Sequence, residues 1–206
     1  MFDTDPAVLD ADATLSDVVA ARAVAERAEV RILCDAARWA DLHGALEHTD
    51  TGVSLPGTEQ LVSLGGAGTP GVAEFAPAEL GAVLGMSPGA AAVLVGDALD
   101  LRHRLPRLWA RIQAGEVRAW VGRKTAQATR QQTVEMAATV DRRVARWAHS
   151  VSWGRLETMI DAAIIEADPE SAAVAVEVAA RSHGVWGGCA AAGDPVPPPQ
   201  PGVVHP

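Results

Sequence analysis

Apolar residues recur at three- and four-residue steps over most of this chain, and no run alternates in the manner of a strand. That periodicity constrains the fold more than any other feature. A 3.6-residue repeat gathers apolar side chains on one side of a helix, whereas a half-buried strand needs a repeat of two. Leu15, Val18, Val19, Val24, Ala28, Ile32, Leu33, Ala36, Trp39 and Leu42 form the longest such stripe. Alanine dominates the apolar residues, which adds intrinsic helix propensity. An all-α fold is predicted, a multi-helix bundle with a long N-terminal helix.

Local punctuation divides the chain into elements. Thr14 and Asp17 have the spacing of a capping box, with Asp in place of Glu, and Gly44 is a C-terminal stop. A stretch rich in Gly, Pro, Thr and Ser from about 47 to 70 reads as a loop or insert. "EFAPAELGAVLG" is a short helix ended by Gly85. Ser87 then caps a helix that opens on Pro88 and runs to about Leu105, because the residue before Pro106 avoids the helical region. Pro106 opens a further helix with Leu108, Trp109 and Ile112 on one face, stopped by Gly115. Another follows from Arg118 to Thr129. The next carries Val140, Val144 and Trp147, and the one capped by Ser152 carries Leu156, Ile160 and Ile164. "PESAAVAVEVAARS" begins one more. The last segment, "GGCAAAGDPVPPPQPGVVHP", has no period and cannot bury enough apolar surface to offset its ordering entropy. The expected organisation is a flexible N-terminus over 1–13, a helical domain over 14–186 and a disordered tail over 187–206.

Charge is distributed unevenly. The 206 residues carry a formal net charge of -9. Residues 1–101 hold 4 Arg against 16 acidic residues. Residues 102–155 hold 12 basic against 3 acidic, and residues 156–206 hold 1 against 7. The basic segment includes "HRLPRLWARIQAGEVRAW", where Arg107 and Arg111 stand at i, i+4. Like charges so placed repel by about 0.2–0.5 kcal/mol, so the clustering calls for a partner. Two readings are open. Arginine suits bidentate contact with phosphate, which makes Arg104, Arg107, Arg111, Arg118, Arg123 and Lys124 candidate nucleic-acid contacts, with DNA as the partner. Alternatively, the acids of the first hundred residues neutralise the segment inside the fold.

Other motifs carry less. Glu79 to Val95 has the outline of a helix-turn-helix, but its second helix offers Gly89, Ala90, Ala91 and Ala92, which cannot read base edges. The pair is expected to serve packing. "GAGTPG" (Gly66 to Gly71) matches a dinucleotide fingerprint only formally, since Pro70 lies inside it and no βαβ unit surrounds it. His43 and His48 are not at ligand spacing, and His103, His149 and His183 stand alone. No catalytic residue, metal site or cofactor is assigned. Cys34 and Cys189 form no CxxC pair, which suits a reducing cytosol. With no signal-peptide pattern and no apolar run near the ~20 residues of a spanning helix, a cytoplasmic protein is expected. The bias to Ala and Arg matches high-GC bacterial coding.

"DALDLRHRLPRLWARIQAGEVRAWVGRKTAQAT", followed by "VDRRVARWAHSVSWGRLETMIDAAIIEADPE", resembles the 13E12 repeat family, also called domain-of-unknown-function family 222. The resemblance covers about Leu15 to Trp186. It implies a helical region that usually precedes an HNH endonuclease domain, with a metal site of His and Asn and often a pair of CxxC motifs. After Val185 to Gly188 this sequence departs from that pattern, so the nuclease site carries over to no residue. The resemblance therefore implies a truncated or frame-shifted member, a non-catalytic module associated with nucleic acid. The alternative is an interaction module that forms a homo-oligomer or holds a protein partner through its long first helix.

Overall fold

The computed structural model describes residues 5–45 and 59–167. Seven α-helices and one two-stranded antiparallel ribbon are found among them. The elements are α1 (Ala11–Leu42), β1 (Leu61–Val62), β2 (Val72–Ala73), α2 (Ala76–Leu84), α3 (Pro88–Arg104), α4 (Pro106–Gln113), α5 (Ala119–Thr129), α6 (Val134–Val144) and α7 (Trp153–Ala167). The helix expected after Pro169, the disordered tail over 187–206 and the boundary at 186 lie outside the described residues, as does the first part of the 47–70 loop.

The punctuation acts largely as the sequence dictates. Ser87 accepts a hydrogen bond from the Ala90 N–H at the head of α3, and Thr133 from Met136 N–H at the head of α6. Gly85 and Gly115 take positive φ angles of 66° and 74°, where a side chain would be strained, and end α2 and α4. Two ends differ. The first helix starts at Ala11, capped by the Asp10 carboxylate on Ala13 N–H, so the Thr14 capping box is not used. Its other end stops at His43, whose N–H reaches the carbonyls of Trp39 and Ala40, and not at a left-handed Gly44. The ribbon, Leu61 against Ala73 and Val62 against Val72, is too short to show a strand period in the sequence.

α3 is the hub. It packs against α1, α2, α4, α5 and α6, while α7 closes the far side on α5 and α6. Every residue from Leu94 to Leu101 is buried, so this part of the helix is enclosed on all sides, with Asp97 and Asp100 among its buried residues. α2 meets it at 105°, a helix-turn-helix angle. The exposed head of α3 offers Pro88, Gly89 and Ala90, which have no side chain to read a base edge, and the rest of α3 forms the centre of the core. Leu99, Leu101, Leu105, Leu108, Ile112, Val117, Val140, Leu156 and Ile160 fill the remaining space. Trp147, placed by its spacing on the core face of α6, lies beyond the end of that helix and is 44% exposed. No single helix among the described residues is long and apolar enough to cross a membrane.

Candidate functional site

The six candidate cations are not one surface. Arg104, a candidate phosphate contact by sequence, is buried at 2% exposure and cannot reach a phosphate. Its guanidinium donates to Asp100 Oδ1 at 3.1 Å and to the main-chain carbonyls of Thr129, Arg130 and Gln132. Arg123 donates through Nε to Asp97 Oδ2 at 2.8 Å. Arg111 donates through Nε to Glu116 at 2.7 Å and through Nη1 to the Ala145 carbonyl at 2.6 Å, with His149 beside it. Arg107, Arg118 and Lys124 are exposed, and none of them takes part in an ion pair among the described residues.

The partners of the consumed arginines come mostly from the acidic first half of the chain. Asp97 and Asp100 stand on α3 with 0% exposure. Asp100 Oδ2 accepts from Arg130 Nε at 2.8 Å, and its Oδ1 also accepts from Gly66 N–H at 2.7 Å. Asp97 Oδ1 accepts from Arg130 Nη2 at 2.7 Å, and Oδ2 accepts from Gln127. Burial opposes the charge on Arg130, but hydrogen bonds and attraction from Asp100 and Asp97 outweigh it and raise its pKa. Two carboxylates thus tie α3 to α5, to the α5–α6 turn and to the loop between the strands. Arg102, just ahead of the segment's candidate cations, donates to both Asp41 oxygens on α1 and to the Ala37 carbonyl. That hydrogen bond holds Asp41 below its ordinary 3.8.

The glycine motif belongs to this network and not to a nucleotide. A Cβ on Gly66 would fall 1.9 Å from Arg104 Nη1 and 2.4 Å from the Arg130 carbonyl. Only a glycine lets the loop lie over the buried guanidinium. Gly96 on α3 is equally constrained, with the Leu64 carbonyl 2.3 Å from its absent Cβ.

A third buried acid acts as a helix cap from a distance. α4 has no capping side chain of its own. Asp141 of α6 accepts from Arg107 N–H at 3.0 Å and Leu108 N–H at 2.9 Å, the free donors at the head of α4. Burial pushes its carboxyl pKa up, and the two backbone hydrogen bonds offset part of that rise. Sequence reading missed Asp97, Asp100, Arg130 and Asp141. The signal for the first two was present: carboxylates three apart within the apolar run Val93 to Leu101, with Arg104 four residues past Asp100.

Two surfaces remain available. On one, the Arg118 guanidinium lies 5.3 Å from the Trp120 ring centre, and Lys124 Nζ lies 5.8 Å from Trp120 and 5.0 Å from Trp153. The other is α1. None of its residues from Ala11 to Ile32 is buried, a run of about 33 Å at 1.5 Å per residue. Leu15, Val18 and Val19 are 67%, 58% and 69% exposed. They lie on the face that buries Leu33, Ala36, Ala37 and Ala40 further along, since Leu15 and Leu33 are five turns apart. The stripe read from the sequence is real, but only its C-terminal part meets the core. Where α1 leaves the body, a groove of about 620 Å³ opens, floored by Ala23, Val30 and Cys34 of α1 and by Ile112 and Val117.

A family model described as a domain of unknown function, DUF222, matches residues 45–193. The chain belongs to that family. No curated protein and no solved structure matches it. The DUF222 match spans α2 to α7, including the carboxylate network and the Asp141 cap. α1, with its exposed stripe, precedes the matched DUF222 residues. No cluster of three or more His, Cys, Asp or Glu residues in this DUF222 chain could hold a metal ion among the described residues.

Proposed function

We propose that this chain is a non-catalytic oligomerisation module, and that the N-terminal half of α1 is its docking element. The observation that carries the reading is the exposure of Leu15, Val18 and Val19 on the same helix face that is buried further along. A lone helix of this length is marginal in water and gains most of its stability from packing an apolar face. Light scattering over a concentration series tests it. A mass rising from the 21.4 kDa of one chain toward twice that value supports the reading. A constant single-chain mass with undiminished helix content overturns it.

A second reading rests on Arg107, Arg118 and Lys124, which are exposed and outside the ion pairs. In it, these three residues contact the phosphates of DNA, and the module serves the HNH-related setting that its resemblance implies. Trp120 would add a stacking face. Three phosphate contacts give a binding-against-salt slope of about -2.7, at about -0.9 each. Absence of binding to duplex or single-stranded DNA at low salt refutes it.

A further inference from the structure

We infer that two copies pair antiparallel along α1, each inserting its Leu15 end into the groove of the other between α1 and the α4–α5 turn. This deepens the oligomerisation reading and rests on it.

Three features point to a second copy as the occupant. First, the exposed end and the groove lie on the same side of one helix. Asp12, Leu15, Val19, Ala23, Val30 and Cys34 follow one another at three-, four- and seven-residue steps, the repeat of a continuous contact face. Only the span from Ala23 onward borders the groove, so among the described residues one copy offers an apolar end without a seat and a seat without an occupant. Second, the charges match. From Ala11 to Ala21 the helix carries Asp12 and Asp17 and no basic residue. The groove is rimmed by Arg27, Arg31 and Arg118. Its one acid, Glu26, already pairs with Arg22 at 3.0 Å. An apolar end carrying Asp12 on its contact face therefore meets a basic apolar seat, whereas a parallel pairing would set Asp12 against its own copy; Asp17 lies on the opposite side of the helix. Third, the dimensions agree. A two-fold axis beside Ala23 sets residue 12 opposite residue 34 and residue 15 opposite the 30–31 step. The same symmetry then fills both grooves, as an isologous contact requires. Ala23 is small, so the helices approach closely at the axis, near the ~8 Å lower limit for packed helices.

The native Cys34 supplies the test. In the full chain carrying Asp12→Cys and Cys189→Ser, mild oxidation is expected to link Cys34 of one copy to the introduced thiol of the other. Tryptic cleavage then yields a disulfide between peptides 1–22 and 32–38, found in the covalent dimer and lost on reduction. Leu15→Asp in the otherwise natural chain is expected to return the dimer to single-chain mass. Leu15 is exposed and outside the core of one chain, so that variant stays folded and loses at most the helix content that pairing lends the N-terminal half of α1. A natural chain that dimerises while the Asp12→Cys, Cys189→Ser chain yields only 12–12 or 34–34 links, or no link, overturns the antiparallel arrangement and leaves oligomerisation standing. Leu15→Asp dimerising as tightly as the natural chain overturns the seating of Leu15. A natural chain that stays at single-chain mass overturns both this inference and the reading beneath it.

Discussion

Replacing Asp100 with Asn tests whether the basic segment is held by the protein's own acids. The change is nearly isosteric, so it removes charge and acceptor capacity without opening a cavity. Asp100 accepts from Gly66 N–H, Arg104 and Arg130 at 2.7, 3.1 and 2.8 Å. An amide retains one acceptor oxygen and turns an NH2 group toward a guanidinium. Removing one partner of a buried ion pair costs about 3–5 kcal/mol, because the surviving charge stays desolvated. Here both guanidiniums keep other partners. Arg104 retains the carbonyls of Thr129, Arg130 and Gln132, and Arg130 retains Asp97 at 2.7 Å. The loss therefore falls at the low end, about 3 kcal/mol. For a domain of this size that lowers Tm by about 6–12 °C. Urea unfolding followed by far-UV circular dichroism should show a lower midpoint with an unchanged slope. A loss below about 1 kcal/mol would refute the assignment of these arginines to the fold, since exposed pairs contribute that little.

Three further outcomes follow from the same contacts. Gly66→Ala forces a methyl group onto Arg104 and the Arg130 carbonyl and should cost about 1–3 kcal/mol of unfolding free energy, the usual range for overpacking. Asp141→Ala should lose about 0.5–2 kcal/mol by uncapping α4, and Asp141→Asn less, since it keeps an acceptor. Because burial raises the Asp141 pKa, the natural chain should also gain stability over Asp141→Asn as pH falls from neutral toward 4, and lose it as pH rises through the raised value. Asp41 has the opposite sign. Its pKa is lowered by Arg102, so its contribution is present above 3.8 and disappears as pH falls through its folded value; Asp41→Asn should flatten the stability curve below about pH 4 in acid unfolding.

The carboxylate network also explains why charge clustering does not by itself mark a binding surface. Arg104, Arg111 and Arg123 look alike in the sequence, yet they end on a buried carboxylate, an adjacent glutamate with a carbonyl, and a second buried carboxylate. Arg107 lies only three residues past Arg104 and faces solvent. The difference is set by which side of its helix each residue occupies and by what lies across from it. Asp97 and Arg130 are 33 residues apart, as are Asp141 and Leu108. No local pattern encodes such a meeting.

α1 makes the same point for apolar residues. Leu15 and Leu33 belong to one stripe by spacing, and only Leu33 is buried. Periodicity states which residues share a face; it does not state where along the helix the neighbouring elements end.

The sequence by itself therefore determined the helices and most of their ends. Ser87, Pro88, Pro106, Gly85 and Gly115 act on backbone groups within a few residues, so their effect is legible without a fold. The tertiary structure alone decided the rest: which helix is central, which arginines are spent on the interior, and how much of α1 is left outside. Those depend on pairings between distant segments, where desolvation makes a buried charge settle only beside an opposite one.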